Sequence, residues 1–318
     1  MNIDFTVAIP VYNGADRLPL VLERLRSQVN TERISWEIIV VDNNSTDTTA
    51  QVVQSFQTNW HPHIPLKYCF EPKQGLAHAR QKAIEEAIGT FVGFLDDDNL
   101  AAPDWVNAAY EFGQMHPNAG AYGGQTEGDF EVSPPKEIEK VKALLAIKKY
   151  ADQPKLYEPE KLRLPAGAGL VVRRQAWLKC IPPCLSRITR GGNDYEISVR
   201  LHRQGWEIWY NPSMQIQHRI PAHRMERSYL ISLARLYGLC TCEIRLAAAK
   251  PWEKPIILIK TFSGSLRRLI LHLINHHNHS KTDLGAACEM AFLLGMTISP
   301  FVYLYKQVSD QKGRSRAT

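Results

Sequence analysis

Four short apolar runs punctuate the first 95 residues at intervals that leave room for one helix each. They are Phe5-Thr6-Val7-Ala8-Ile9, Glu37-Ile38-Ile39-Val40-Val41, Leu66 to Phe70 and Phe91 to Leu95. All four read as strands; the second is too apolar to keep a wet face, and the fourth looks like a buried parallel strand. The stretches between them read as helices. One runs from about Ala15 to Gln28, with Leu18, Val21, Leu22 and Leu25 on one face. A second, capped by Ser45 or Thr46, runs toward Phe56, and a third runs from Leu76 to Ile88 and stops at Gly89. Strand and helix alternating in steps of this size build βαβ units, so the chain belongs to the α/β class with a parallel sheet.

That frame gives the polar residues after each strand a place. In open α/β sheets ligands bind beyond the carboxyl ends of the strands. The fourth strand ends in Asp96-Asp97-Asp98. Three adjacent carboxylates repel one another, and folding alone does not ask for them. A hard cation, Mg²⁺ or Mn²⁺, held by carboxylate oxygens and bridging to phosphate, accounts for them; a solvated acidic turn is the other reading.

After residue 100 the alternation loosens. A helix is expected from Pro103 to Met115 and a short strand at residues 120–124. Residues 129–165 read as an excursion or lid with one helix near 136–149. Leu164 to Val172 is a small-residue approach into a strand, and Gly191-Gly192-Asn193-Asp194 opens a helix over Tyr195–Arg203. Strands are expected at residues 205–210 and 214–217. Beyond Pro221 the texture is helical, which divides the chain into a sheet-bearing domain, 1–221, and a helical extension, 222–318. With 318 residues there is enough chain for this arrangement. The net charge of +6 suits an anionic ligand or surface without naming one, and no feature points to nucleic acid. The six cysteines match no common zinc spacing and are expected as free thiols. Met1 to Phe5 has neither the basic nor the apolar region of a signal peptide, so a cytoplasmic chain is expected.

Five motifs in order then carry a resemblance. They are Ala8-Ile9-Pro10-Val11-Tyr12-Asn13, Val40-Val41-Asp42-Asn43-Asn44-Ser45-Thr46-Asp47, Gln74-Gly75-Leu76-Ala77-His78-Ala79-Arg80, Asp96-Asp97-Asp98, and Gly192-Asn193-Asp194-Tyr195-Glu196. Across residues 5 to 218 the chain resembles the inverting GT-A glycosyltransferases of family 2. The resemblance implies a GT-A fold, α/β with a mixed, mainly parallel central sheet, and a nucleotide-diphospho-sugar donor. Two departures stand out. Asn193 occupies a position where the family often has an acid, and the basic-aromatic motif of processive synthases is not evident after His218, so a non-processive enzyme is implied.

By resemblance, Asp42 accepts from the base or ribose of a uridine, with Pro10, Tyr12 and Asn13 as a wall and Asn44 and Asp47 beside them. Arg80, whose guanidinium suits a diphosphate or an acidic neighbour, completes the donor side with Asp96 and Asp97. Asp98 is the first candidate metal ligand and His218 the second. Asp194 is the candidate base, because inversion needs one carboxylate to take the acceptor's proton. Glu196 either helps to hold the acceptor or lies on the surface. Gly167 and Gly169 permit close backbone approach, while Trp206 and Trp209 suit core packing better than sugar stacking. In the last third, basic residues from Arg224 to Arg268 interleave with Leu, Ile and Trp. The apolar run Leu284–Tyr305 contains Glu289 and Pro300, which makes it marginal as a membrane span. Peripheral attachment to an anionic membrane and a packed helical appendage both fit this pattern. His276-His277-x-His279 reads as a polar loop. The function implied is sugar transfer to a lipid-linked or polysaccharide acceptor. The alternatives are a nucleotidyltransferase, which would want a Gly-rich basic loop where Pro10-Val11-Tyr12-Asn13 stands, and a non-catalytic membrane-associated binding protein.

Overall fold

The structure, a computed structural model, describes residues 3–182, 192–247, 249–276 and 283–314; Cys184, His277 and His279 lie outside these. The described chain forms two compact units. The first holds residues 3–129, 146–182 and 193–220, and the second holds 130–145, 192 and the described residues from 221 onward.

The first unit opens with β1 (Phe5–Val11), α1 (Leu18–Arg26), β2 (Trp36–Asp42), α2 (Thr49–Thr58), β3 (Leu66–Phe70), α3 (Leu76–Glu86) and β4 (Phe91–Phe94). Then follow β5 (Asn99–Ala101), α4 (Trp105–Met115), β6 (Ala119–Phe130), β7 (Lys155–Leu156), β8 (Val171–Arg173), α5 (Arg174–Cys180), α6 (Asn193–Arg203) and β9 (Glu207–Ile220). The strands make one mixed sheet in the order β3-β2-β1-β4-β8-β6-β9-β5, with β7 beside β9. β3, β2, β1 and β4 run parallel, as the apolar runs require. β4 meets β8 antiparallel, and β5 meets β9 antiparallel.

Period-two alternation assigns the two faces of the sheet. Phe5, Val7, Ile9 and Val11 join Ile38 and Val40 in a core with Leu18, Val21, Leu22 and Leu25 of α1 and Trp105 of α4. Each such side chain, fully buried, contributes about 1.5–3 kcal/mol. On the opposite face α3 lies over β1 and β2 and buries Ala79, Ala83 and Ile84. Glu37, fully buried there, is satisfied by Thr6 Oγ1 at 2.9 Å, the Ile88 N–H at 3.1 Å and Lys67 Nζ at 2.6 Å.

Several expected elements take another form. No α-helix spans 136–149. Two 3₁₀ turns, Lys136–Lys140 and Lys142–Leu145, stand there instead, between Pro134-Pro135 and a left-handed Ala146 (φ 60°). They belong to the second unit and bury Ile138, Val141 and Leu145. The expected strands at 205–210 and 214–217 are one strand, β9. It pairs with β7 at Trp209 and Tyr210 and with β5 from Ile216 to His218, on either side of Pro212. The strand expected at 120–124 extends to Phe130, and β5 and α5 were not expected. Trp206 packs against Gly120, and Trp209 against Phe112 and His116.

The second unit is helical: α7 (Arg227–Leu246), α8 (Glu253–His276) and α9 (Leu284–Arg314) pack on one another. One helix, α9, runs through Pro300 without ending.

Candidate active site

The loops after β1 and β2 are tied together before any ligand is considered. Asn13 N–H donates to Ser45 Oγ at 3.0 Å, Gly14 N–H to Thr49 Oγ1 at 3.1 Å, and Ala15 N–H to Asp47 Oδ2 at 3.1 Å. In return Thr46 N–H donates to Asn13 Oδ1 at 2.8 Å. Asn13 (φ 47°) and Asn44 (φ 63°) take the left-handed conformation that Asn tolerates. Ser45 and Thr46 therefore do not cap α2, which starts at Thr49 with no side-chain cap. Asp47 also accepts from Thr49 N–H and Oγ1. Burial pushes its carboxyl up, but these bonds outweigh it and hold the group below the usual carboxylate range.

Asp42 ends β2 between two donors. Its Oδ1 accepts from Ser45 N–H at 2.8 Å, and its Oδ2 from Tyr68 Oη–H at 2.8 Å. Burial and this bond push the Tyr68 phenol up to about 12, so it remains a donor. Pro10 is buried in β1, paired with Val41, while Tyr12 is 48 % exposed beside it. Asn43, 5 % exposed, binds the chain ahead of α3. Its Nδ2 donates to the Glu71 and Lys73 carbonyls, and its Oδ1 accepts from Gly75 N–H at 2.6 Å.

This anchoring sets α3 so that Arg80 points inward. Arg80 is 1 % exposed, not solvated, with its guanidinium 5.4 Å from the Phe94 ring centroid. Its Nη2 lies 3.9 Å from Asp96 Oδ1, and among the described residues its Nε and Nη1 find no acceptor. Gly167 closes over it. A Cβ there would stand 2.7 Å from Arg80 Nη2 and 3.5 Å from the Asp194 carboxyl carbon, so only glycine lets these two residues share the space. Gly169, at φ 70°, lies against Ile216.

The three acids after β4 part company. Asp97 turns to Arg17, whose Nη2 donates to its Oδ2 at 2.7 Å and to the Asn13 carbonyl at 3.0 Å. Burial pushes the Asp97 carboxyl up to about 6 even though Arg17 pulls it down. Asp96 keeps 36 % of its side-chain surface yet sits deep among protein atoms, and that depth raises its pKa. Arg80 and His218 oppose the shift, and the charges of Asp98 and Asp194 add to it. Asp98 turns to the antiparallel part of the sheet. Asn99 is in register with His218, Arg219 N–H donates to the Asp98 carbonyl at 2.9 Å, and His218 Nε2 lies 3.4 Å from Asp98 Oδ2. Asp98 Oδ1 also accepts from Asn99 Nδ2 at 2.6 Å.

Asp194 lies half-buried in the first turn of α6, and its carbonyl accepts from Ser198. Glu196 is not on the surface: it is fully buried, paired with Arg200 Nε at 2.7 Å. The structure thus brings Arg80, Asp96, Asp98, Asp194 and His218 into one electrostatic cluster. Arg17, Tyr68 and Asn43 escaped the sequence reading because each acts through a partner 26 or more residues away.

Among the described residues no three His, Cys, Asp or Glu side chains converge on one point. Two of them, Asp98 and His218, stand 3.4 Å apart, a carboxylate and an imidazole.

Comparison with known proteins follows from this geometry. The sequence matches the profile described as glycosyl transferase family 2 over residues 6–179, more than half of the chain. A Bacillus subtilis protein named for teichuronic acid biosynthesis is 34% identical over 107 residues, 34% of this chain and 40% of that protein. The undecaprenyl-phosphate 4-deoxy-4-formamido-L-arabinose transferase of Pectobacterium carotovorum is 29% identical over 107 residues, again 34% of this chain and 32% of that protein. The chain therefore spans less than half of these relatives' length. A mannosyltransferase from Pyrobaculum calidifontis, solved with GDP-Man and Mn²⁺, superposes with a TM-score of 0.60 at 20% identity over 95% of this chain and 88% of its own. The architecture is the GT-A fold, an α/β fold with a mixed, mainly parallel sheet and a C-terminal helical extension. On the match across residues 6–179, this chain belongs to glycosyl transferase family 2.

Proposed function

We propose that this enzyme moves a sugar from a nucleotide-diphospho-sugar, UDP-linked, to a glycan or lipid-linked acceptor at the cytoplasmic face of a membrane, with inversion at the anomeric carbon. One observation carries the reading: a half-buried carboxylate, Asp194, stands across Gly167 from the Arg80–Asp96 pair at the carboxyl end of the parallel strands. A base for the acceptor and charges for the donor thus share one place.

In this reading Asp42, aligned by Ser45 and Tyr68, uses its remaining lone pairs for the base or ribose, and the exposed ring of Tyr12 lies along the base with Pro10. Asn13, Asn44 and Asp47 keep the two loops in register around the nucleotide. Arg80 places positive charge behind Asp96, and Arg17 holds Asp97. Asp98 and His218 would hold Mn²⁺ or Mg²⁺, which when bound neutralises the departing diphosphate as a Lewis acid. Asp194 takes the proton of the acceptor hydroxyl. That oxygen forms the new bond to the anomeric carbon as the bond to the diphosphate oxygen breaks, and the nucleoside diphosphate leaves.

The test is a thermal-shift screen with UDP-, GDP- and dTDP-sugars, in Mn²⁺ and in EDTA. The UDP compounds should stabilise the wild type in Mn²⁺ only, and Asp98→Ala should lose that shift. Equal affinity in EDTA removes the metal from the reading, and a preference for GDP or dTDP changes the donor.

A further inference from the structure

In α8 the usual arrangement of a surface helix is turned inside out. The face that packs inward carries Thr261, Ser265, Leu269 and His272, each under 10 % exposed, and only one of these is a large apolar residue. The polar members are satisfied within the unit: Ser265 Oγ donates to the Thr261 carbonyl at 2.6 Å, and His272 Nε2 lies 3.1 Å from the Ala286 carbonyl. The opposite face carries Ile256, Ile259, Ile270, Leu273 and Ile274, exposed by 46, 68, 49, 47 and 69 %. Trp252, 65 % exposed, precedes the helix on the same line. Steps of four and three residues from Trp252 through Ile256, Ile259, Ser263, Leu266, Ile270 and Leu273 stay on one side of the helix, an apolar line interrupted at Ser263.

α9 repeats the pattern. It packs on α7 through small residues. A Cβ on Gly238 would stand 2.1 Å from the Phe292 carbonyl oxygen, and one on Gly295 would stand 2.3 Å from the Arg235 carbonyl oxygen. Such close backbone approach is the way helices pack where apolar side chains are not needed between them. Leu293 and Met296 form a small inner core with Leu269 of α8, while Phe301, Leu304 and Tyr305 face out, exposed by 57, 48 and 75 %. Phe262 of α8 meets Phe301 of α9 edge to face at 5.4 Å, which joins the two stripes.

Water gives such a surface no reason to exist, because an exposed apolar patch of this extent costs solubility and marks a binding face. Its occupant is set by charge. Exposed Lys260 and Arg267 flank the stripe on one side, and α8 holds a single acid, Glu253. A second copy of the chain would bring the same positive rim against this one, whereas anionic lipid headgroups neutralise it. The aromatic rings of Trp252 and Tyr305 suit the water–lipid boundary. We infer that the joined outer faces of α8 and α9 form a surface that lies in the interface of an anionic bilayer, with the stripe among the acyl chains and Lys260 and Arg267 at the phosphates. This deepens the proposed transfer to a lipid-linked acceptor and rests on that reading for its purpose, but its grounds are the helix surfaces themselves.

Flotation of the full chain with vesicles tests it, using phosphatidylglycerol–phosphatidylcholine mixtures beside pure phosphatidylcholine. The wild type should float with the anionic vesicles, and Ile259→Glu/Ile270→Glu should stay at the bottom at every salt concentration. Lys260→Ala/Arg267→Ala should lose about 30-fold in affinity for anionic vesicles and nothing for neutral ones, at about tenfold per 1.4 kcal/mol and 1 kcal/mol per basic residue. The UDP–Mn²⁺ thermal shift, read on the same samples, should be equal in all variants, so failure of the transferase reading shows separately. A wild type that does not float overturns the assignment. So does a glutamate variant that floats like the wild type, or a dimer that these substitutions dissolve without any vesicle binding. Binding that resists alkaline carbonate overturns it in favour of a span through α9.

Discussion

Asp194 is half-buried in the first turn of α6, and its charge adds repulsion to Asp96. Its neighbour Asn193 cannot act as a base, and Glu196 is committed to Arg200. Asp194→Asn should therefore lower the transfer rate by about 10²–10⁴ while nucleotide affinity stays nearly unchanged. Calorimetry with UDP and Mn²⁺ beside a transfer assay checks this; wild-type turnover in the variant would move the base elsewhere. The positions of Asp42 and Asp98 after strands and of Asp194 at a helix start are local properties that the motifs carry. Arg17 was not legible in this way, because nothing local to an arginine ahead of α1 announces an acid 80 residues away.

At the scale of elements, loops and helix ends are held by reciprocal bonds between segments distant in sequence. The turn after β2 looked like a helix cap because Ser, Thr and Asp cap helices, yet its side chains serve the turn after β1. The start of α9 shows the cap proper. Asp283 Oδ1 accepts from Ala286 N–H at 2.9 Å, and its Oδ2 pairs with Lys140 of the 3₁₀ turn at 2.5 Å. Lys140 first, and then the Ala286 N–H, lower the carboxyl to about 2 from its ordinary 3.8. A depressed acid stabilises the fold fully above its unfolded pKa and loses that contribution as pH falls toward the folded one. Asp283→Asn should thus lower the melting temperature at pH 7, and the gap to wild type should shrink steadily from about pH 4 toward pH 2. A gap independent of pH in a denaturation series would assign the loss to packing.

For the molecule as a whole, the cut between units does not follow the order of the chain. Residues 130–145 leave the sheet-bearing part of the sequence and bury Ile138, Val141 and Leu145 in the unit that contains α7 and α9. A chain ending at Ile220 would strip these side chains of their partners. At about 1.5–3 kcal/mol for each buried aliphatic residue, that exposes apolar surface worth about 5 kcal/mol. Such a chain should bind a hydrophobic dye and aggregate, and removal of residues 130–145 as well should relieve both. Dye binding no higher than in the full chain would show that these residues find other cover.

The sequence by itself determined the parallel core. Strands buried on both faces are apolar at most positions, so local pattern and tertiary role coincide in β1, β2 and β4, with Thr6 and Glu37 paired to each other as the exceptions. It also placed Asp42 and Asp96 to Asp98 just beyond strand ends, since that is a local property. Only the tertiary structure decided what each acid meets. Asp97 goes to Arg17, 80 residues away, and Asp98 to His218 because β5 pairs with β9; contacts at such separations leave no periodic mark. The same holds for the helices of the second unit. Their composition shows apolar and basic residues interleaved, but which face is covered depends on the neighbour. In α8 the covered face is the one that carries Thr261 and Ser265.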